Sequence, residues 1–342
     1  MLKEQFGILA LGQCGGNIGI EFEKLGYTTV YVNTSKEDLS TIKGAHKIHI
    51  PNADGAAKNR KRVLQLASEH IGDIVEKITT ILPQKYIICT FSASGGTGSG
   101  LSIPLMTYLT QIGHICIPAV VLPDHTVESA KSCENAYNCC AEMMSINGLG
   151  ATFLLDNARG DKFAINGRFA RELDSFINLK NSSVYGVIDP AERKQILSCS
   201  GVSNIAKLSK AKSTASEVIQ GLNENIYAPI EAQNARYFAL STSNRSLDVQ
   251  DVLRAYKGIY DVFTGISEAS TIAILAGLQW PMKRIENFKN KFEETVQNIN
   301  NTINHQTPTI QPLQGLSFME RQTAQPTTTV NPRDILLGLL NN

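Results

Sequence analysis

The 342-residue sequence lacks a charge excess, a long apolar run and paired cysteines. Its net charge is +1, which gives no basic surface for direct nucleic-acid binding. No run approaches the ~18 apolar residues of a transmembrane helix, so we expect no membrane partner. The amino terminus passes directly into a strand pattern, and we therefore expect no signal peptide.

Cysteine and histidine usage excludes two further classes of site. The seven cysteines are odd in number and contain no CxxC pair, which favours reduced thiols in a cytoplasmic protein over a disulfide framework. The six histidines are scattered singly, so no metal site built from protein ligands is expected. The remaining composition, 42% hydrophobic and 18% charged, is typical of a globular protein of about two domains.

A glycine-rich loop lies at the centre of the first half. The buried strand pattern Tyr86–Phe91 precedes it and a helix-compatible run follows it; the loop is Ser94, Gly95, Gly96, Thr97, Gly98, Ser99 and Gly100. Glycines allow close backbone approach, and a helix N-terminus favours an anion, so the loop predicts a phosphate cradle. A flexible Gly/Ser loop is the alternative. It is not a Walker loop, because Leu101 stands where Lys-Ser/Thr is required.

A second glycine turn, at 12–16, follows the first strand pattern and suggests a competing fold. A dinucleotide-binding enzyme would use G-x-G-x-x-G there and an acidic residue at the end of the second strand. Here the spacing is G-x-x-G-G, and the second strand ends at Asn33. Both departures count against NAD.

Ser94–Gly100 closely resembles the Gly-Gly-Gly-Thr-Gly-Ser/Thr-Gly signature of the tubulin/FtsZ superfamily, with Ser94 in place of the first glycine. The resemblance implies GTP or GDP in the cradle and Mg²⁺ held mainly by phosphates and water. It implies a GTPase activated by polymerisation, whose principal partner is another copy of itself in a head-to-tail filament.

The same resemblance assigns nucleotide contacts on three further loops. The turn at 12–16 is similar to the first nucleotide loop of tubulins, and Val32-Asn33-Thr34 and the loop at 55–60 resemble two loops of FtsZ. Arg60 replaces a family proline, and Lys58 puts a cation where the γ-phosphate lies, or is an ordinary solvated lysine. The implied contacts on these loops are Gly12, Gln13, Cys14, Gly15, Asn17, Asn33, Lys58 and Asn59, although Cys14 could equally be a small packed residue.

Three further residues match family positions for the ribose and the base. Glu128 matches a glutamate that bonds the ribose, while the family's nearby phosphate-contacting arginine falls at Ser132. Asn157 matches the asparagine that reads the guanine edge, although an Asx turn would also explain it. Phe169 aligns with the aromatic residue that stacks on guanine, although a core role is at least as plausible.

Asp189 and Glu192 match the two acids that the family presents to the nucleotide of the next subunit, where they polarise the attacking water. The string Asp189-Pro190-Ala191-Glu192 is also an ordinary helix start, with proline in the first turn and acids near the positive end. Only its position after the linking helix makes the pair a catalytic candidate.

The predicted fold class is α/β: a doubly wound parallel Rossmann-like GTPase sheet of six strands, a long central helix, a smaller α+β activation domain and a long C-terminal helix. Strands are expected at 235–244 and 270–278, with a helix at 249–260 between them. The predicted bounds are 1–162 for the GTP-binding domain, 163–184 for the linking helix, 185–280 for the activation domain, 281–303 for an amphipathic helix and 304–342 for a disordered tail.

These features together resemble the TubZ branch of the superfamily, which segregates plasmid and phage DNA. The expected function is a GTP-dependent cytoskeletal filament, with a DNA-binding adaptor docked on the tail through the apolar patch at 335–340. An FtsZ-like division-ring GTPase is the runner-up. A non-polymerising GTP-binding adaptor and a monomeric NAD-binding Rossmann enzyme are less favoured interpretations.

Overall fold

The computed structural model describes residues 2–179, 186–208, 213–244, 246–267 and 270–304. Residues up to Gln297 form one compact unit; the chain from Asn298 forms another, of which only the end of a helix is described. The predicted tail and its patch at 335–340 lie outside the described residues. No helix among the described residues is both long and apolar enough to cross a membrane.

The described residues of the chain form ten strands and eleven α-helices. The strands are β1 Phe6–Leu11, β2 Thr29–Asn33, β3 His46–His49, β4 Tyr86–Ser92, β5 Ile115–Leu122, β6 Ala151–Asp156, β7 Gly201–Leu208, β8 Asn234–Ser241, β9 Gly258–Gly265 and β10 Thr271–Leu278. The helices are α1 Gly12–Lys24, α2 Lys36–Thr41, α3 Arg60–Ser68, α4 Ile71–Ile81, α5 Thr97–Gln111, α6 Ala130–Met144, α7 Lys162–Ile177, α8 Pro190–Leu197, α9 Ala215–Asn223, α10 Val249–Leu253 and α11 Met282–Asn304.

All ten strands belong to one sheet, in the order β3-β2-β1-β4-β5-β6-β7-β10-β8-β9. Strands β1 to β6 pair in parallel, which confirms the predicted doubly wound sheet. The strand order reverses between β1 and β4, and open α/β sheets bind ligands beyond the carboxyl ends of the strands at such a switch point. The glycine turns after β1 and β4 therefore lie side by side.

The second half extends the same sheet. A short parallel pairing of β6 with β7 joins it to the first half, and β10 pairs antiparallel with both β7 and β8. The helix predicted at 249–260 is wrong in its second half, because α10 ends at Leu253 and residues from Gly258 form β9. Strand β9 lies at the sheet edge, half exposed, so its sequence lacks the alternation of a one-sided strand.

Helix α7 lies between the two halves. Its predicted apolar stripe, which includes Phe169, Leu173 and Phe176, is buried in a core cluster shared by strands of both halves. The helix begins at Lys162, where Asp161 caps it, and ends at Ile177, earlier than predicted. Residues 180–184 of the predicted linking helix lie outside the described residues.

Candidate nucleotide site

The glycine loop after β4 leaves open space next to its backbone at Gly95. A Cβ added at Gly95 would meet no other residue's atom within 4 Å, whereas one at Gly96 would lie 2.6 Å from the Cβ of Ala56. Gly96 is therefore a packing glycine against the loop 55–59, while Gly95 faces open space. Helix α5 begins at Thr97 and directs its free amides toward that space.

A cavity of about 320 Å³ lies over this loop. The glycine turns after β1 and β4 form its floor, Asp38 lines it from α2, and Ala56 and Lys58 line it from the loop before α3. The site residues predicted from the sequence that line it are Gly12, Gln13, Cys14, Lys58, Gly95, Gly96, Thr97 and Gly98. Backbone amides, a hydroxyl and one lysine form a donor set suited to phosphate oxygens.

Glycine is required at two positions of the first turn. Gly12 has φ +69°, and an added Cβ there would lie 3.1 Å from the amide of Gly98. A Cβ at Gly15 would lie 2.1 Å from the carbonyl oxygen of Thr90. Gly15 therefore allows α1 to pack against β4. It lines neither this cavity nor the second one described below.

The side chain of Lys58 contacts Ser132 and Glu128. Its Nζ donates to the Ser132 Oγ at 2.6 Å and lies 3.7 Å from Oε2 of Glu128. The family resemblance implies an arginine at position 132, and in this structure the loop 55–59 brings a lysine to that position instead. Ala57 and Lys58 both have positive φ, of 45° and 59°, which is an unusual backbone for two consecutive non-glycine residues.

Asn135 is a site residue that sequence reasoning missed. Its buried Nδ2 donates to the carbonyls of Lys58, Ser94 and Gly95, at 2.9, 3.2 and 3.3 Å. It thereby ties the lysine loop to the central glycine loop. An asparagine in the middle of α6 gives no local signal of this role, because its partners lie 40 or more residues away.

A second cavity of about 240 Å³ shares Gln13, Cys14 and Ser92 with the first. It is the more enclosed half of the site, and the predicted residues Asn17, Ser94, Glu128 and Asn157 also line it. The Oδ1 of Asn157 is buried and has no hydrogen-bond partner among the described residues. A buried acceptor without a partner is costly, so this atom is available to a hydrogen-bond donor of a ligand in the cavity.

Phe169 is the clearest correction. Its side chain is 0% exposed, with ring centroids 5.3 Å from Phe153 and 5.9 Å from Phe22, so it is a core residue and cannot stack on a base. Phe163, in the first turn of the same helix, lines the second cavity and is 62% exposed. The apolar stripe of the helix predicted this buried face correctly, whereas the match to the family had assigned Phe169 to the base.

Three other predicted residues have local structural roles and line neither cavity. Asn33 is buried and donates from Nδ2 to the Asp38 carboxylate at 3.1 Å, so it orients a lining residue. Asn59 caps α3 by accepting from the amide of Arg62 at 3.0 Å. The hydroxyl of Ser99 donates to the carbonyl of Gly95 and so braces the loop from beneath.

Cys14 is not a reactive thiolate. Burial raises the pKa of its thiol to about 12, although Lys162 acts in the opposite direction. The side chain therefore stays a neutral thiol at the junction of the two cavities. All seven cysteines are free.

Asp189 and Glu192 form a complete capping box at the start of α8. Oδ1 of Asp189 accepts from the amides of Ala191 and Glu192 at 2.6 and 2.8 Å, and Oε2 of Glu192 accepts from the amide of Asp189 at 2.8 Å. The helix-start interpretation therefore holds, and the box itself uses one oxygen of each carboxylate. The second oxygen of each acid is left for a further role.

Arg193 places this box at the far end of α7. Its Nη1 donates to the carbonyl of Ile177 at 2.6 Å, which is the last residue of α7. Lys162, the first residue of α7, lines the second cavity. A 16-residue helix spans roughly 22 Å between its first and last residues. The acids and the cavities therefore lie at opposite ends of α7 within one subunit.

Comparisons with known proteins support the fold described above. Residues 6–160 match the model of the tubulin/FtsZ family GTPase domain. The tubulin-like protein TubZ of Clostridium botulinum C phage is 28% identical over 307 residues, covering 86% of this chain and 84% of that protein. A C-terminal tail-truncated TubZ of Clostridium botulinum phage c-st has a TM-score of 0.79 at 25% identity, covering 87% of this chain and 100% of the other.

A more distant structure shares the fold. The GTPγS-form protofilament of Bacillus thuringiensis serovar israelensis TubZ has a TM-score of 0.72 at 17% identity, covering 87% of this chain and 94% of the other. At that identity the match shows the architecture alone. The loops around both cavities fall within, or within a few residues of, the segment that the family model covers.

Proposed function

Because residues 6–160 form a GTPase domain of the tubulin/FtsZ family, we propose that the protein assembles with GTP into head-to-tail filaments and hydrolyses the nucleotide at a site shared between subunits. The observation that carries the proposal is the pair of joined cavities at one end of α7, with an acid pair at the other end. One subunit thus holds both halves of a site that two stacked subunits complete.

The two cavities divide the nucleotide between them. The first, with glycine turns, Thr97 and Lys58, suits the phosphates. The second, with the unpaired acceptor of Asn157 and the exposed ring of Phe163, suits the base, and Glu128 at its edge suits the ribose. An asparagine oxygen accepts from the N1–H and the 2-amino group of guanine, and adenine has neither of these two donors.

The lining of the phosphate cavity also fits a magnesium ion that is bound together with the phosphates. Mg²⁺ retains several waters and needs few protein oxygens. Among the described residues that line the phosphate cavity, Asp38 is the one acidic side chain, and Asn33 orients it. Bound there, the ion would neutralise charge on the phosphates while water and Asp38 complete its shell.

Hydrolysis is proposed to require the next subunit. The acids of one subunit lie roughly 22 Å from its own cavity, by the length of α7, so they can reach only the nucleotide of a neighbour. A contact between different faces of identical subunits extends into a filament without closing. The second oxygens of Asp189 and Glu192, which the capping box does not use, would then orient and polarise the attacking water.

The proposed cellular role is the movement of plasmid or phage DNA in the cytoplasm. One relative is a phage protein named TubZ, and a solved structure of Bacillus thuringiensis TubZ is a protofilament. Because the net charge is only +1, we propose that DNA is bound by an adaptor protein and not by the filament itself. The adaptor would dock on the tail at 304–342.

A nucleotide-dependent pelleting assay tests the proposed function. The purified protein is centrifuged with GTP, with GDP, with ATP or without nucleotide, and the nucleotide in the pellet is identified by chromatography. We expect sedimentation with GTP, and guanine nucleotide in the pellet. Equal sedimentation under all four conditions would contradict GTP-dependent assembly.

Replacing Lys58 tests the phosphate assignment. If Lys58 leaves Ser132 and Glu128 for the γ-phosphate, Lys58→Ala should weaken GTP binding more than GDP binding. A charge-assisted hydrogen bond contributes about 1.5–3 kcal/mol, which corresponds to roughly 10- to 150-fold in the GTP dissociation constant. Lys61→Ala, three residues on in α3, is the control. Equal losses for both nucleotides would show a general electrostatic effect.

Removing the tail separates assembly from cargo binding. Truncation after Asn304 should leave the melting temperature and the GTP affinity unchanged, because no residue after Asn166 lines either cavity. A tail-truncated TubZ structure with the same fold supports this expectation. Adaptor binding or filament bundling should be lost with the patch at 335–340. A truncated chain that no longer folds would show that the tail is structural.

A further inference from the structure

Arg284 lies in the first turn of α11, outside the two cavities. Its side chain hydrogen-bonds to segments that lead into the second cavity. It is only 6% exposed, and its partner Asp156 is 2% exposed. Nε and Nη2 donate to the two carboxylate oxygens of Asp156, both at 2.7 Å, in a bidentate pair. Nη2 also donates to the carbonyl of Pro123 at 2.7 Å.

A fourth contact uses the ring of His125. Nη1 of Arg284 lies 2.9 Å from His125 Nδ1, and because a guanidinium can only donate, that nitrogen is the acceptor. The guanidinium also lies over the ring of Phe288, 4.7 Å from its centroid. Arg284 is therefore fixed from every side and can hold its partners in turn.

The three partners of Arg284 each lie a short way before a residue of the base and ribose cavity in the chain. Asp156 is followed by Asn157, and its Oδ1 also accepts from the amide of Ala158 at 3.0 Å, which sets the turn that carries Asn157. Pro123 and His125 begin the loop of Glu128, whose amide donates to the carbonyl of Asp124 at 2.9 Å. One side chain thus fixes the two loops that line the cavity.

The helix itself is held where Arg284 needs it. The amides of Lys283 and Arg284 both donate to the carboxylate of Glu231, each at 3.0 Å. Ile285 and Phe288 are fully buried in the core. These contacts hold the first turn of α11 in place, with the guanidinium at the carboxyl end of β6.

We propose that Arg284 is a positioning residue that sets the base specificity of the site: it fixes Asn157 and the loop of Glu128 from behind, without touching the nucleotide. The proposal rests on the proposed guanine-nucleotide function. It assigns to the C-terminal helix, 128 residues from Asp156 in the chain, a role in reading the base. The phosphate cradle has no part in this arrangement.

Arg284→Lys is the test variant, because lysine keeps the charge but cannot reproduce the planar fork that bonds a carboxylate and a carbonyl together. Lys283→Ala is the matched control, one residue earlier on the exposed side of the same turn. Dissociation constants for GTP and ATP are measured for the parent protein and both variants by fluorescence or calorimetry. Melting temperatures are measured alongside.

We expect Arg284→Lys to lower the preference for GTP over ATP by ~10-fold or more, since a misplaced hydrogen-bond acceptor no longer discriminates. The ATP affinity, which depends on the phosphate cradle, should stay within about twofold of the parent's. Lys283→Ala should keep the full preference. A folded Arg284→Lys protein with the parent's preference would overturn the proposal.

A second variant covers the case in which Arg284→Lys does not fold. Asp156→Asn removes the carboxylate fork but keeps an acceptor for Ala158, and we expect the same loss of preference. An unchanged preference in this variant would also overturn the proposal. A parent protein that binds ATP as tightly as GTP would instead contradict the guanine-nucleotide function on which the proposal rests.

Discussion

The Gly95→Val protein is expected to fold like the parent and to lose nucleotide binding. An added Cβ at Gly95 meets no atom of another residue within 4 Å, so the substitution introduces no clash within the chain. The new side chain instead fills space over the loop that the phosphates are proposed to occupy. We expect the GTP dissociation constant to rise by roughly 100-fold or more, about 2.7 kcal/mol, with the melting temperature nearly unchanged.

Gly96→Val provides the contrast. Its Cβ would fall 2.6 Å from Ala56 and 3.1 Å from the Cα of Lys58, so it displaces the lysine loop as well as the phosphates. We expect it to abolish binding and also to lower the melting temperature. Gly72→Val is the matched control, because Gly72 is equally open but lies in α4, outside both cavities. Normal GTP binding by Gly95→Val would show that the loop is not a phosphate cradle.

Asp189→Asn and Glu192→Gln are expected to slow GTP hydrolysis by ~100-fold or more while leaving GTP binding and assembly intact. Loss of a group that activates or positions water has an effect of about 10²- to 10⁴-fold. Asparagine caps a helix as well as aspartate does, and glutamine serves in the capping box, so both variants keep the start of α8. Filaments formed with GTP should persist in place of turning over.

These conservative variants separate catalysis from stability, which alanine would not. Asp189→Ala would remove the cap and cost ~1 kcal/mol of stability. Glu217→Gln is the matched control, because Glu217 holds the same position in the capping box of α9. The rate of phosphate release is measured at protein concentrations above and below the onset of assembly. Parental rates in both acid variants would contradict a role for these acids.

Much of the fold could be predicted because its signals are local. Strands β1, β2 and β4 to β6 are short apolar runs that end in polar or glycine turns, and parallel pairing places those turns on one edge of the sheet. Gly12, Gly95 and Thr97 were found for the same reason, since close approach and a helix start are properties of neighbouring residues. The apolar residues of α11 recur at the helical period, so this helix could be predicted as well.

The parts that could not be predicted depend on contacts between distant segments. Phe169 and Phe163 lie on the same helix, and the apolar stripe predicts that Phe169 is buried, but no local pattern indicates that Phe163 lines the second cavity. Asn135 and Arg284 join segments far apart in the chain, and neither has a sequence signature. Strand β9 is stabilised by pairing with β8, which propensity near 249–260 does not reveal.

The most direct test of the shared site is complementation between two inactive proteins. Glu192→Gln supplies an intact cradle without one catalytic acid, and Gly95→Val supplies both acids without a cradle. Each alone should hydrolyse GTP at no more than a few per cent of the parental rate. If an acid of one subunit acts on the nucleotide of the next, mixing the two at equal concentration should restore a substantial part of the parental phosphate release. A mixture no more active than the sum of its two components, under conditions in which both proteins enter the pellet, would contradict a site completed between subunits.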